Sequence, residues 1–244
     1  MGLVATEPSF AVHVHLERAR LRQRLAWQQE SAGTPPKEMQ GELQSELEND
    51  FRLALYRDGH SRPALRQLLA TALRTHDLQQ VADLSARLAD ICDQAGSGRG
   101  EAGDGRAAAV FLTRAAECHR VIGRSPEFVV QAYRAALERN PRHVPALRGL
   151  LHLLLEQRSY ADGAAVAEHL AAAMHDPEER YDALMLSASV AQEQLSDTDR
   201  ALSLLREALR IGASIGRSDA FDRLRVILAG LAGVPGDPLA LTDL

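Results

Sequence analysis

The sequence predicts an all-α protein. Apolar residues recur every three or four positions over most of the 244 residues, which is the spacing of amphipathic helices. Only 4% of the residues are aromatic, and the chain relies on Ala, Leu, Arg, Glu and Gln, which favour helices over strands. Proline and glycine interrupt the pattern repeatedly, so we expect many helices joined by turns.

The first two helices are expected to form an N-terminal helical hairpin over residues 10–58, after disordered residues 1–9. Residues 31–36, Ser-Ala-Gly-Thr-Pro-Pro, supply its turn, because proline commonly begins a helix. The second helix carries apolar residues at steps of four: Met39, Leu43, Leu47, Phe51 and Leu55. The first helix has a shorter apolar face: Leu16, Ala19, Leu25 and Ala26.

A second helix pair is predicted over residues 62–92. It is followed at 93–106 by a segment with five glycines and no large apolar residue. Burial there cannot offset the entropy of ordering the chain, so we expect a flexible loop. A phosphate-binding glycine loop is the alternative, but it needs a preceding strand and usually a GK[ST] ending, and neither is present.

Helix pairs return over residues 107–216, where three units are predicted, followed by a capping helix at 217–231 and a flexible tail at 232–244. The predicted helices are 107–120, 126–139, 144–157, 160–174, 178–194, 198–211 and 219–231. Asn140-Pro141 and Asp176-Pro177 each end a pair at equivalent positions. Similar punctuation at a near-constant interval is typical of repeat proteins.

Residues 131–141, QAYRAALERNP, resemble the closing half of a tetratricopeptide repeat, whose second helix ends in a pattern like A-L-E-x-[ND]-P. Leu147, Leu150 and Leu154 fall where the family places the large residues of its first helix. Tyr160 matches the aromatic residue that begins the second helix.

The resemblance covers residues 107–231, and 62–92 more loosely, although Leu151 stands where the family usually has glycine. It implies a right-handed α-solenoid of antiparallel helix pairs in one continuous array. The helix at 144–157 agrees with this, because leucines cover most of its circumference and need neighbours on both sides.

Histidine and cysteine do not form a recognisable reactive site. The nine histidines lack zinc-binding spacing, and Cys92 and Cys118 stand alone. We interpret Cys118 as a small apolar residue packed between helices. No set of nucleophile, base and oxyanion donors converges, so we expect no enzyme, no cofactor and no metal.

The resemblance also implies a concave surface, lined by first helices, that receives a partner peptide or helix. Arg66, Arg114 and Arg148 fall at the same first-helix position of three units, and His152 lies one turn beyond Arg148. Such a row suits an acidic or carboxylate-terminated peptide. Arginine makes up 27 of the 28 basic residues, so a chance register of solvated side chains is the simpler alternative.

We therefore expect a non-catalytic protein-interaction scaffold or adaptor in the cytoplasm of a GC-rich bacterium, without a signal peptide, membrane span or small-molecule substrate. One alternative is a self-assembling subunit whose hairpin, with Trp27 and the Met39 to Leu55 stripe, packs against a second copy. Another is a nucleotide- or nucleic-acid-binding regulator, and the net charge of −5 argues against bulk nucleic-acid binding.

Overall fold

The structure, a computed structural model, describes these parts of the chain: residues 12–22, 24, 37–97 and 104–231. Within them the secondary structure is helical and no strand occurs, which confirms the predicted all-α fold. Helices pack mainly against their neighbours in the chain, as in a tetratricopeptide-like array. No helix in these ranges is both long and apolar enough to cross a bilayer.

The chain divides into two compact units, and the first is Met1–Arg124. Its helices are α1 (residues 12–22), α2 (Lys37–Arg57), α3 (Arg62–Arg74), α4 (Leu78–Ser97) and α5 (Gly105–Ile122). All five contribute buried residues to its core, among them Ala19, Phe51, Leu65, Leu88 and Cys118. The packed position of Cys118 confirms its interpretation as a small apolar residue.

The interval between α4 and α5 is shorter than the flexible loop predicted at 93–106. Helix α4 continues to Ser97, and α5 already begins at Gly105, where Asp104 accepts a hydrogen bond from the Ala107 backbone amide. A small buried cluster packs α4 against α5 on either side of this segment: Ala89, Cys92 and Ala108. Residues 98–103 lie outside the described residues.

The second unit, Ser125–Leu244, contains the remaining helices. They are α6 (Pro126–Arg139), α7 (Val144–Glu156), α8 (Tyr160–Ala173), α9 (Pro177–Glu193), α10 (Thr198–Ile215) and α11 (Asp219–Leu231). Three of them begin after a residue whose side chain accepts a first-turn amide: Ser125, Asp176 and Asp197. These caps explain why the sequence locates helix starts closely.

The boundary between the units falls between α5 and α6, which the sequence pairs as the first of three units over 107–216. Helix α5 packs against α4, and its Ala115 and Cys118 belong to the core of the first unit. Small side chains on α5 permit this close approach.

The ends of the chain and the first turn lie outside the described residues. The predicted disorder at 1–9, the turn at 31–36 and the tail at 232–244 therefore stay predictions. At the other end of the second unit, α11 lies within the predicted capping segment 217–231 and packs against α10.

Candidate partner-binding face

Helix α7 is buried on most of its circumference and exposes one narrow stripe. Its buried residues are Ala146, Leu147, Leu150, Leu151, Leu153 and Leu154. Arg148, His152 and Glu156 follow one another at steps of four and are all exposed. The structure thus brings two of the predicted site residues, Arg148 and His152, together on the exposed side of α7.

A carboxylate of α9 already pairs with Arg148. Nη2 of Arg148 donates to Oε1 of Glu179 at 2.7 Å, and both side chains are about half exposed. Exposed pairs contribute about 0–1 kcal/mol, so a carboxylate of another molecule could compete for this guanidinium. This pairing does not follow from the sequence, because Glu179 lies in a different predicted unit and only helix packing brings it close to Arg148.

His152 also faces an acidic side chain. Its Nδ1 lies 3.4 Å from Oε1 of Glu156, one turn further along α7. This contact is an ion pair only when the imidazole is protonated.

Helix α9 extends the face with a stripe that contains no basic residue. Glu179, Asp182, Leu186 and Glu193 are exposed and follow at intervals of three, four and seven, which places them on one side of a helix. Leu186 is 38% exposed, so an apolar contact point lies among the carboxylates.

Arg217 lies in the turn between α10 and α11 and contacts residues of both α9 and α11. Its guanidinium donates to Asp219 at 2.8 Å and to Asp182, and these bonds raise its pKa further. It also lies 4.3 Å from the centroid of the Tyr181 ring, a cation–π contact. The buried Tyr181 hydroxyl accepts the Ala220 backbone N–H at 2.9 Å, which anchors the start of α11.

Carboxylates outnumber guanidiniums on the connected exposed sides of α7, α9 and α11. The paired guanidiniums are those of Arg148, Arg217 and Arg223, and the carboxylates are those of Glu156, Glu179, Asp182, Glu193 and Asp219. With His152 neutral, this gives three positive and five negative charges. We call this set, with Leu186, the acidic face.

Arg66 and Arg114 lie in the first unit. Arg66 is exposed on α3, and Arg114 is half-buried on α5; neither has an ion-pair partner among the described residues. The predicted row that would join them to Arg148 stays a prediction.

Cysteine and histidine show no activated arrangement in the described residues. Burial raises the pKa of both thiols, Cys92 and Cys118, which disfavours the reactive thiolate. Burial and the nearby Arg124 lower the pKa of the His119 ring. No group of three or more His, Cys, Asp or Glu side chains in these ranges could hold a metal ion.

Comparison with protein families gives a match over most of the chain. The profile described as tetratricopeptide repeat matches residues 43–214, which include α3 to α9 and most of α2 and α10. No curated protein sequence matches the chain significantly.

Proposed function

The chain belongs to the tetratricopeptide repeat family, and we propose that it is a scaffold or adaptor that binds a segment of a partner protein along the acidic face. Proteins of this family generally act as non-catalytic interaction modules. The observation that carries the proposal is the network of ion pairs that connects the exposed sides of α7, α9 and α11, with Leu186 exposed among them. An apolar contact surrounded by charged groups is the usual composition of a protein-binding surface.

Two kinds of partner segment, acidic and basic, are compatible with binding along the acidic face. The arginine row predicted from the sequence favours an acidic or carboxylate-terminated peptide, which would have to displace Glu179 from Arg148. The surplus of carboxylates on the acidic face instead favours a segment with basic side chains. We propose the basic segment, and the acidic peptide stays a competing prediction. The cytoplasmic location and bacterial source also stay predictions.

Self-assembly through the N-terminal hairpin receives less support. Leu47 and Phe51 are buried in the core of the first unit, and Leu55 packs against it, so these residues do not offer an apolar surface to a second copy. The side chains of Trp27 and Met39 lie outside the described residues. The nucleotide-binding alternative depends on the glycine segment, of which 98–103 is likewise not described.

Two substitutions on the acidic face test the function and the sign of the partner's charge together. The wild type and variants are used to capture proteins from a lysate of the native organism, and bound proteins are quantified by mass spectrometry. Leu186→Ala should reduce the amount of the specific partner by about fivefold, because losing the apolar contact removes about 1 kcal/mol without changing the charge of the face. Arg148→Glu should increase capture of a basic segment and abolish capture of an acidic one.

Arg206→Glu is the matched control, because Arg206 is exposed on α10 and forms no ion pair within the described residues. The charge-swapped variant Arg148→Glu with Glu179→Arg keeps an ion pair. It therefore shows whether a change in binding comes from misfolding or from the altered contact with the partner. If the partner binds Leu186→Ala and Arg148→Glu as strongly as the wild type, the acidic face is not the binding site.

A further inference from the structure

A second candidate site lies between α9 and α10, and it does not include the Arg148–Glu179 pair. The beginning of α9 and the second half of α10 enclose an open cavity of about 360 Å³. Its lining residues are His175, Pro177, Arg180, Glu207, Arg210, Ile211 and Ser214. All belong to the second unit, and none is part of the acidic face.

Arg180 lines this cavity and is held there by an ion pair with Glu207. Nη2 of Arg180 donates to Glu207, which fixes the position of the guanidinium, whereas the Nε atom of Arg180 is buried and has no partner in the described residues. Nε has almost no accessible surface, but the Arg180 side chain as a whole is 42% exposed, so a ligand in the cavity contacts the exposed part of the side chain rather than Nε. Guanidinium groups bind carboxylates and phosphates particularly well because several N–H groups lie in one plane.

A second cation lines the same cavity. Arg210 is exposed on α10 and has no ion-pair partner in the part of the chain that the structure describes. Glu207 is the only acidic residue among the lining residues, so two guanidiniums and one carboxylate leave one positive charge when His175 is neutral. Asp176 and Glu178 also lie at this end of α9, where Asp176 caps the helix by accepting the Glu178 amide at 2.8 Å.

The remaining lining distinguishes between kinds of anion. A lining with one net positive charge matches a singly charged carboxylate better than a doubly charged phosphate. Ile211 and Pro177 add an apolar wall that an aliphatic chain can cover. We propose that this cavity binds a small aliphatic carboxylate, with its oxyanion between Arg180 and Arg210 and its chain against Ile211.

The test is a titration of the full chain with butyrate, followed by nuclear magnetic resonance of the backbone amides of His175, Ile211 and Ser214 at constant ionic strength. We expect saturable shifts at these amides. Arg210→Gln should weaken binding by about tenfold, because it removes a charge-assisted hydrogen bond of about 1.5 kcal/mol. Arg206→Gln, one turn earlier on α10 and outside the cavity, should leave the binding curve unchanged.

Two further probes separate the contributions of charge and chain. Inorganic phosphate should bind more weakly than butyrate, and n-butanol, which lacks the carboxylate, should cause no saturable shift. Tighter binding of phosphate, or equal butyrate affinity in Arg210→Gln and the wild type, would overturn the proposal. Shifts that rise linearly without saturation would also overturn it. Arg148→Glu should leave this titration unchanged, so the proposals for the cavity and for the acidic face are tested independently.

Discussion

Gly149 allows α7 to lie against the ring of Tyr133 on α6. A Cβ atom at Gly149 would stand 2.5 to 2.6 Å from the Tyr133 ring and hydroxyl, closer than side chains approach in real structures. Tyr133 is fully buried, so its ring has little room to move aside. The absence of a side chain at one position therefore sets the spacing of two helices.

Gly149→Ala is expected to destabilise the protein by about 1–2 kcal/mol. Overpacking typically costs about 1–3 kcal/mol, which exceeds the gain of up to about 1 kcal/mol from the better helix propensity of alanine. Chemical denaturation followed by circular dichroism measures the change. Gly41→Ala is the control, because no atom lies within 4 Å of its added Cβ and it should stabilise α2 slightly. Equal stabilisation by both substitutions would contradict the close contact.

The family resemblance anticipates such a contact at a different residue. It aligns the family's usual glycine with Leu151, which is buried in the core of the second unit. The close approach occurs two residues earlier, at Gly149. Sequence patterns place small residues on the correct helix, but the contact between helices decides which of them must lack a side chain.

Helices α1 and α2 are joined by a buried carboxylate. Asp50 of α2 is fully buried and accepts hydrogen bonds from Arg18 and Arg22, which lie one turn apart on α1. The pairing with Asp50 raises the pKa of Arg18. Arg22 also reaches Glu46 at 3.1 Å. Two arginines on one helix thus hold a single residue of the next.

Asp50→Ala is expected to destabilise the first unit by about 2–3 kcal/mol. The value is below the full 3–5 kcal/mol of a broken buried pair because both arginines are partly exposed. Thermal and urea denaturation give the size of the effect, and hydrogen exchange in α1 reports whether that helix separates from α2. Glu48→Ala, which removes the α2 pair with Arg52, should change stability by less than about 0.5 kcal/mol. Similar losses in the two variants would argue against a specific role for Asp50.

At the scale of elements, helix starts follow closely from the sequence. Pro126 and Pro177 occupy the first helical turn directly after the capping residues Ser125 and Asp176, and both starts are predicted to within one residue. Helix ends are predicted less closely, because α10 continues past the predicted end at 211 to Ile215, which packs against the core of the second unit. Local hydrogen bonds define a start, whereas burial against another helix decides how far a helix continues.

Within the described residues, each of the two units contains an extensive cluster of buried residues. One lies in the first unit, and the other extends in the second unit from Leu147 to Ile227. The second cluster draws no residue from the first unit. Each unit therefore has its own hydrophobic core.

A fragment of residues 125–244 is expected to fold alone. It retains the N-cap of α6 and the complete core cluster of the second unit, so we expect helical circular dichroism and a cooperative thermal transition. A shorter fragment, residues 160–244, removes Leu147 and Leu151 from that cluster and should melt at lower temperature and less cooperatively. A non-cooperative transition in the longer fragment would show that its core depends on the first unit.

The sequence by itself determined the all-α class, most helix starts and the family, because apolar spacing, caps and prolines are local properties of the chain. It also placed Arg148 and His152 on the exposed side of one helix. Only the tertiary structure decided that Glu179 pairs with Arg148, that α5 joins the first unit and that Arg180 and Arg210 line one cavity. These features depend on which helices touch, and contacts between residues distant in sequence follow from packing rather than from periodicity.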